Sequence, residues 1–285
     1  MLWPNGRTKA FTLSYDDGIQ QDQRLLELLN RFQIKGTFNL NGGLLGQEGT
    51  VSAGKRNVSH HKIPASEIPA LYAGHEVAVH GYYHSCMYAM DLARCTREIL
   101  SCRLSLEEIL KQPLTGFAYA FGIWNPTILE ALKACGITYA RTIKSTYRFE
   151  IPEDFLLWNP TCHHDDERLF ELAEQFLSDA PIFSFFGPAK LFYIWGHSYE
   201  FDQNNNWNHM ETFLQKMSGQ KDVWYATNRE IRQYADAYSR LIFSADGSVV
   251  NNPSALSVWL GGMFTNDSVE VKPGIVTTLL PPVCM

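Results

Sequence analysis

Two neighbouring carboxylates and a spaced pair of histidines are the residues best suited to chemistry. Asp16-Asp17-Gly18 closes one short apolar run, His80-x-x-x-His84 closes another, and His197 follows a third. A catalytic metal takes three protein ligands and keeps a position open for water. Two imidazoles and one of the two aspartates supply those ligands and leave one carboxylate spare. Such donors suit zinc or a neighbouring transition metal. Water at the ion would have its pKa lowered to about 7, with the spare carboxylate available as general base. Taken singly, Asp-Asp-Gly is a good turn sequence and each histidine is as readily a loop or core residue. Packing does not require all of them to fall at the ends of separate strands, as they do here.

Those ends are set by an alternation of short apolar runs and amphipathic stretches. Strands are predicted at 10–14, 36–39, 76–79, 116–120, 138–143, 191–195 and 223–226, and helices at 20–32, 65–72, 91–110, 126–135, 167–177, 207–217 and 228–240. On the 91–110 helix, Leu92, Ile99, Leu104 and Ile109 are the expected buried stripe. The alternation gives an α/β fold with a largely parallel sheet, as a closed or nearly closed barrel or, alternatively, an open doubly wound sheet. In either, ligands gather at the carboxyl ends of the strands. After Leu241 the pattern changes to a turn at 245–248 and short strands at 257–260, 268–271 and 275–280. This divides the chain into a catalytic barrel, 1–240, and a small β-rich C-terminal appendage, 241–285. Val258, Trp259, Leu260 and Phe264 of the appendage suit self-association into a homo-oligomer or cover for one barrel end.

The same mouth collects other candidates. His163 and His164 follow the fifth strand, whereas His60, His61, His75 and His209 read as solvated. Aromatic residues are dense here (Tyr15, Tyr82, Tyr83, Tyr119, Phe121, Trp124, Trp158, Trp195), and any exposed at the mouth form flat faces on which sugars stack.

Composition removes several classes of function. With 45% apolar and 19% charged residues among 285, the chain builds a core and is not disordered. A net charge of −6 with 24 scattered basic residues leaves no footprint for nucleic acid. No apolar run approaches the roughly 18 residues of a membrane span, and the start lacks the apolar region of a signal peptide. Six cysteines without a Cys-x-x-Cys pair read as reduced thiols, so the expected location is the cytoplasm.

Ser14-Tyr15-Asp16-Asp17-Gly18, His80-x-x-x-His84, Phe117-Ala118-Tyr119-Ala120-Phe121-Gly122 and a late Gly196-His197, in that order, resemble the motifs of the polysaccharide deacetylases, carbohydrate esterase family 4, across residues 8–240. The resemblance implies a distorted (β/α) barrel of about seven parallel strands that removes acetyl groups from sugars with zinc, or with cobalt or nickel. By position it makes Asp16 the general base and Asp17, His80 and His84 the metal ligands. It makes His197 the acid that protonates the leaving amine and Phe121 the donor, through its backbone N–H, to the oxyanion. Tyr119, Trp158 and Tyr83 are assigned to the substrate pocket. Three departures stand out. Ala118 occupies the place of an arginine that orients the base, Gly81 that of a serine or threonine, and no clear aspartate partner stands before Trp158, which leaves Asp165, Asp166 or Glu200 to orient His197.

The expected activity is hydrolysis of N-acetyl groups on a sugar or soluble oligosaccharide, or of another small acetamide. Opening of a cyclic amide, as in allantoinase-like relatives with a His-Gly-Tyr motif, is the alternative hydrolysis. A non-catalytic carbohydrate-binding barrel is the third reading, and a base and an acid flanking a metal are more than it needs.

Overall fold

The computed structural model describes residues 1–52, 56–178, 189–261 and 268–279. Eight parallel strands form the main sheet: β1 (Lys9–Asp17), β2 (Thr37–Leu40), β3 (Glu76–Val79), β4 (Gly116–Ala118), β5 (Tyr139–Arg141), β6 (Cys162–His163), β7 (Lys190–His197) and β8 (Val223–Tyr225). Seven run in the order β5-β4-β3-β2-β1-β7-β6, and β8 pairs with the start of β1. Trp158 makes a parallel bridge to Arg141, with Trp158 N–H donating to Ala140 at 3.0 Å and Thr142 N–H to Trp158 at 2.9 Å. The stretch from Trp158 to β6 therefore links the two ends of the sheet and curls it into a distorted barrel.

β1 is buried over its whole length, because it is flanked by β7 on one side and by β8 and then β2 on the other. A strand without a solvent face reads as a continuous run rather than an alternating one. Its register sets the site, since Asp16 lies opposite His197 on β7 and Asn39 on β2. Helices α1 (Asp22–Arg31), α2 (Leu92–Leu110), α3 (Pro126–Ala134), α4 (Leu169–Leu177), α5 (Tyr199–Asn204), α6 (Trp207–Met217) and α7 (Asn228–Ser239) follow the strands. Their starts carry the expected capping chemistry. Asp91 accepts from Arg94 N–H, Asn125 from Ile128 N–H ahead of Pro126, and Thr227 with Glu230 forms a capping box.

Several sequence expectations shift. The fourth strand ends at Ala118, and 120–122 is a single 3-10 turn in which Phe121 has φ +59°. The buried face of α2 is Cys95, Glu98, Ile99, Cys102 and Leu106, whereas Leu92 and Leu104 are exposed. Small thiols let the helix approach the barrel closely, and Glu98 turns inward to serve a loop described below. β6 and α5 fall where no element was predicted.

In the C-terminal segment, Ile242–Phe243, Val249–Asn251 and Val276–Thr278 form one antiparallel sheet, and Val258–Gly261 pairs with Ser268–Val271. This segment is stitched to the rest of the chain: Leu2 N–H donates to Trp259 at 2.9 Å, and the Tyr234 hydroxyl donates to Leu2 and accepts from Trp259 N–H. Val258 packs with Trp3, Leu191, Tyr193 and Ile231, so it covers the end of the barrel where the strands begin. Val258 and Leu260 are thus buried within the chain, while Phe264 and Leu280 lie outside the described residues. Among the described residues the five cysteines are free thiols, and no helix is long and apolar enough to cross a membrane.

Candidate active site

At the carboxyl ends of the strands, a cleft of about 510 Å³ is lined by Asp16, Asp17, His80, His84 and His197. Leu44, Val51, Phe121, Ile143, Trp195 and Tyr199 form its apolar walls. Polar groups converging in a largely apolar hollow of this size are the usual form of a small-molecule site. Asp17, His84 and Phe121 all have positive φ without being glycine. Backbone of this kind costs free energy and tends to cluster at functional sites.

Asp17, His80 and His84 each offer a ligand atom, and these atoms lie within 4.8 Å of one another. Two donors about 2.1 Å from one tetrahedral zinc sit roughly 3.4 Å apart, so a small local adjustment brings the three onto one ion. His80 carries the strongest structural sign of a ligand. Its Nδ1–H donates to the Ala118 carbonyl at 2.9 Å, while Nε2 is buried without a hydrogen-bond partner. The carbonyl fixes the tautomer and leaves a bare lone pair directed at the cluster. Burial lowers the His80 pKa and pushes that of His84 down to about 4, so both rings are neutral donors. The residues present therefore fit a divalent transition metal.

Asp17 is held from two further sides. His60 Nε2 lies 3.0 Å from its Oδ2, and Lys62 Nζ lies 3.2 Å from Oδ1 and donates to its backbone oxygen at 2.9 Å. Burial alone would raise the Asp17 pKa. The His60 hydrogen bond and the Lys62 charge outweigh it and keep the carboxyl well below the usual carboxylate range. His60 is thus a partner of a cluster carboxylate rather than a solvated loop residue. His75 and His209 are likewise bonded, to Asn30 and to the His164 carbonyl.

Asp16, almost wholly buried, accepts from the Arg141 guanidinium at both oxygens and from Asn39 Nδ2 at 2.8 Å. Burial raises its pKa, and the Arg141 charge and hydrogen bond with the nearby His80 and His197 bring it below the ordinary value. Arg141 is the functional residue that sequence reasoning missed. It sits on β5 directly opposite Ala118 on β4, so the guanidinium absent from position 118 arrives at the same level from the next strand. An arginine inside a predicted buried strand was the available signal, because a buried charge demands a partner.

His197 Nε2 lies 4.0 Å from Asp16 Oδ2, and its Nδ1 lies 3.4 Å from Glu200 Oε2, which also accepts His197 N–H at 2.8 Å. Burial works to lower the His197 pKa, but the Glu200 hydrogen bond and charge, with Asp16 and Asp17, raise it to about 9. Of the three carboxylates left open by the sequence, Glu200 is therefore the one at His197, while Asp165 binds Asn204 and Asn206. Glu98 performs a comparable service for the His80–His84 loop, since its Oε1 accepts from Tyr83 N–H at 2.7 Å and Ser85 N–H at 3.2 Å. Gly81 in the same loop has a φ of +79°, which suits glycine.

The substrate-pocket residues divide. Phe121 lines the cleft and packs its ring edge-on against His84 at 4.7 Å, and Tyr119 lines it with its hydroxyl donated to the Leu156 carbonyl. Trp158 does not reach the cleft: it is buried against Tyr139, Phe155 and Tyr193, because its backbone is committed to closing the barrel. Trp195 takes the wall position instead, with the Arg141 guanidinium 4.5 Å from its ring centre. Tyr83 is exposed against Tyr82 and lies outside the cleft lining.

The curled sheet of parallel strands is thus a distorted (β/α) barrel with this cluster at its strand ends. Residues 4–140 match the family model "Polysaccharide deacetylase". Among solved structures, a Mycobacterium smegmatis protein assigned to the polysaccharide deacetylases is similar, with a TM-score of 0.58 at 19% identity over 84% of this chain and 94% of that one. The Xyl-CE4 domain of a multidomain xylanase from the hindgut metagenome of Trinervitermes trinervoides is similar at 0.51 and 15% identity, over 81% of this chain and 92% of that one. The Streptococcus pyogenes deacetylase PplD is matched with a TM-score of 0.41 at 19% identity over 46% of this chain, which spans 55% of that protein. At these identities the likeness is one of fold. No curated protein sequence matches the chain.

Proposed function

We propose that the chain is a metal-dependent deacetylase of N-acetylated sugars or oligosaccharides. The observation that carries this reading is the placement of Asp16, ionised by Arg141, within 4.0 Å of His197, held protonated by Glu200, beside the Asp17-His80-His84 cluster. Asp17, His80 and His84 would hold the ion, zinc by donor type with cobalt or nickel as substitutes. When bound, the ion supplies a Lewis acid for the acyl carbonyl and lowers the pKa of water to about 7.

Asp16 accepts the proton of the attacking water. Arg141 Nη2, which donates to both oxygens, and the Asn39 amide hold the carboxylate and keep it unprotonated at neutral pH. His197, cationic below about pH 9, delivers a proton to the departing nitrogen, so that amine leaves rather than acetate. The Phe121 N–H, in a turn strained to positive φ, is the donor for the oxyanion. Trp195, Tyr199 and Phe121 offer flat apolar faces to a sugar ring.

Acetate released from a panel of N-acetylated oligosaccharides, with metal-loaded and chelator-treated protein in parallel, tests the reading. Metal-dependent release is the expected result. Turnover of cyclic amides with no acetate released from any sugar would overturn it.

A further inference from the structure

A second cluster of metal-type donors lies beside the first site on the far side of His197. We infer that His163 Nε2, His164 Nε2 and a Glu200 carboxylate oxygen form a second binding site for a divalent transition cation such as zinc.

The three donor atoms lie within 4.8 Å of one another. His163 Nε2 is 3.1 Å and His164 Nε2 3.6 Å from Glu200 Oε2, close to the roughly 3.4 Å between two ligands of one tetrahedral zinc. His164 is the decisive residue. It is fully buried, and neither ring nitrogen has a hydrogen-bond partner. The ring packs against Tyr15 and Phe201, at centroid distances of 5.5 and 4.3 Å, and those two rings also touch each other at 6.0 Å. Gly196 leaves the space it fills, since a Cβ there would stand 1.9 Å from His164 Nδ1. A buried imidazole aimed at a carboxylate and left unpaired is poorly explained by packing.

His163 Nδ1 accepts from Asp165 N–H at 3.2 Å, a contact that opens when the ring proton moves to Nδ1 and frees Nε2 for the ion. The Asp165 carboxylate, pinned by the Asn204 and Asn206 amides, stands 3.6 Å from His164 Nε2 and adds negative charge. Two imidazoles with carboxylates favour zinc, cobalt or nickel over magnesium or calcium.

Glu200 is shared, so an ion here competes with His197 for the carboxylate that keeps it protonated. Metal beyond the first equivalent should then depress turnover. This consequence rests on the deacetylase reading, whereas the site itself does not.

Full-length protein equilibrated with excess zinc and counted by elemental analysis should hold two ions per chain. His84→Ala and His163→Gln should each hold one. One ion in the wild type, with the same one retained in His163→Gln, would overturn the site. If His163→Gln fails to fold, an anomalous map of zinc-soaked wild-type crystals decides: a peak among His163, His164 and Glu200 is expected, and a peak at Asp17-His80-His84 alone would refute it. Two ions bound without acetate release at any loading would leave the site standing and sink the deacetylase reading.

Discussion

Glu200→Gln removes the charge that sets the protonation of His197 while keeping the size of the side chain. The pKa of His197 stands at about 9 against an ordinary 6.5, with Glu200 the main raising influence. At about 1.4 kcal/mol for each pH unit, the difference is worth roughly 3 kcal/mol. Because the folded value lies above the unfolded one, this stabilisation is complete below about pH 6.5 and is lost as pH rises through about 9. In Glu200→Gln the His197 pKa should fall back toward 6.5. At pH 7.5 the protonated fraction would drop from nearly all to about a tenth, and kcat with it about tenfold. The alkaline limb of kcat/KM should move from near pH 9 to near pH 7, with activity largely restored at pH 6. Urea unfolding should show a loss of about 3 kcal/mol at pH 6 that shrinks toward zero at pH 10. An alkaline limb that stays near 9 in the glutamine variant would refute both the role of His197 as acid and that of Glu200 as its partner.

Other perturbations probe the frame around the site. Arg141→Met leaves Asp16 buried without its cation and should cost about 3–5 kcal/mol in urea unfolding, whereas Arg141→Lys, which keeps the charge, should cost less. Equal stability of the methionine variant and the wild type would contradict the pairing. Gly196→Ala would drive a Cβ into the His164 ring, held by Tyr15 and Phe201, and should lower stability by at least the roughly 1–3 kcal/mol typical of overpacking. A melting temperature within a degree of the wild type would show that the ring is free to move.

Much of this molecule was legible in its sequence because the strong signals were local. Glu76–Val79 and Trp207–Met217 lie where apolar runs and helical spacing put them, and Asp16, Asp17, His80, His84 and His197 meet because each lies at the end of a strand that the pattern defined or in the loop that follows it. What escaped depends on contacts across strands. Arg141 reaches Asp16 through the β4–β5 register, which no spacing along the chain reveals. The β6 strand is two residues long and is fixed by pairing with β7 rather than by its own apolar content. Trp158 and Trp195 looked alike as aromatic residues near strand ends, but Trp158 is consumed in closing the barrel and Trp195 faces the cleft. Glu98 was hidden because a carboxylate on a helix normally marks the solvated face. Here the exposed N–H groups of the His80–His84 loop draw it inward.

The most direct test of the proposed chemistry separates the base from the ligands in one preparation. Acetate release from an N-acetylated oligosaccharide is measured for wild type, Asp16→Asn and His80→Ala, with bound metal counted in each sample. The account expects Asp16→Asn to keep the ion of the Asp17-His80-His84 cluster yet lose turnover by 100-fold or more, at the scale of general-base catalysis of about 10²–10⁴. His80→Ala should lose ion and turnover together. Asp16→Asn that hydrolyses at the wild-type rate, or wild-type protein equally active after metal removal, would contradict it.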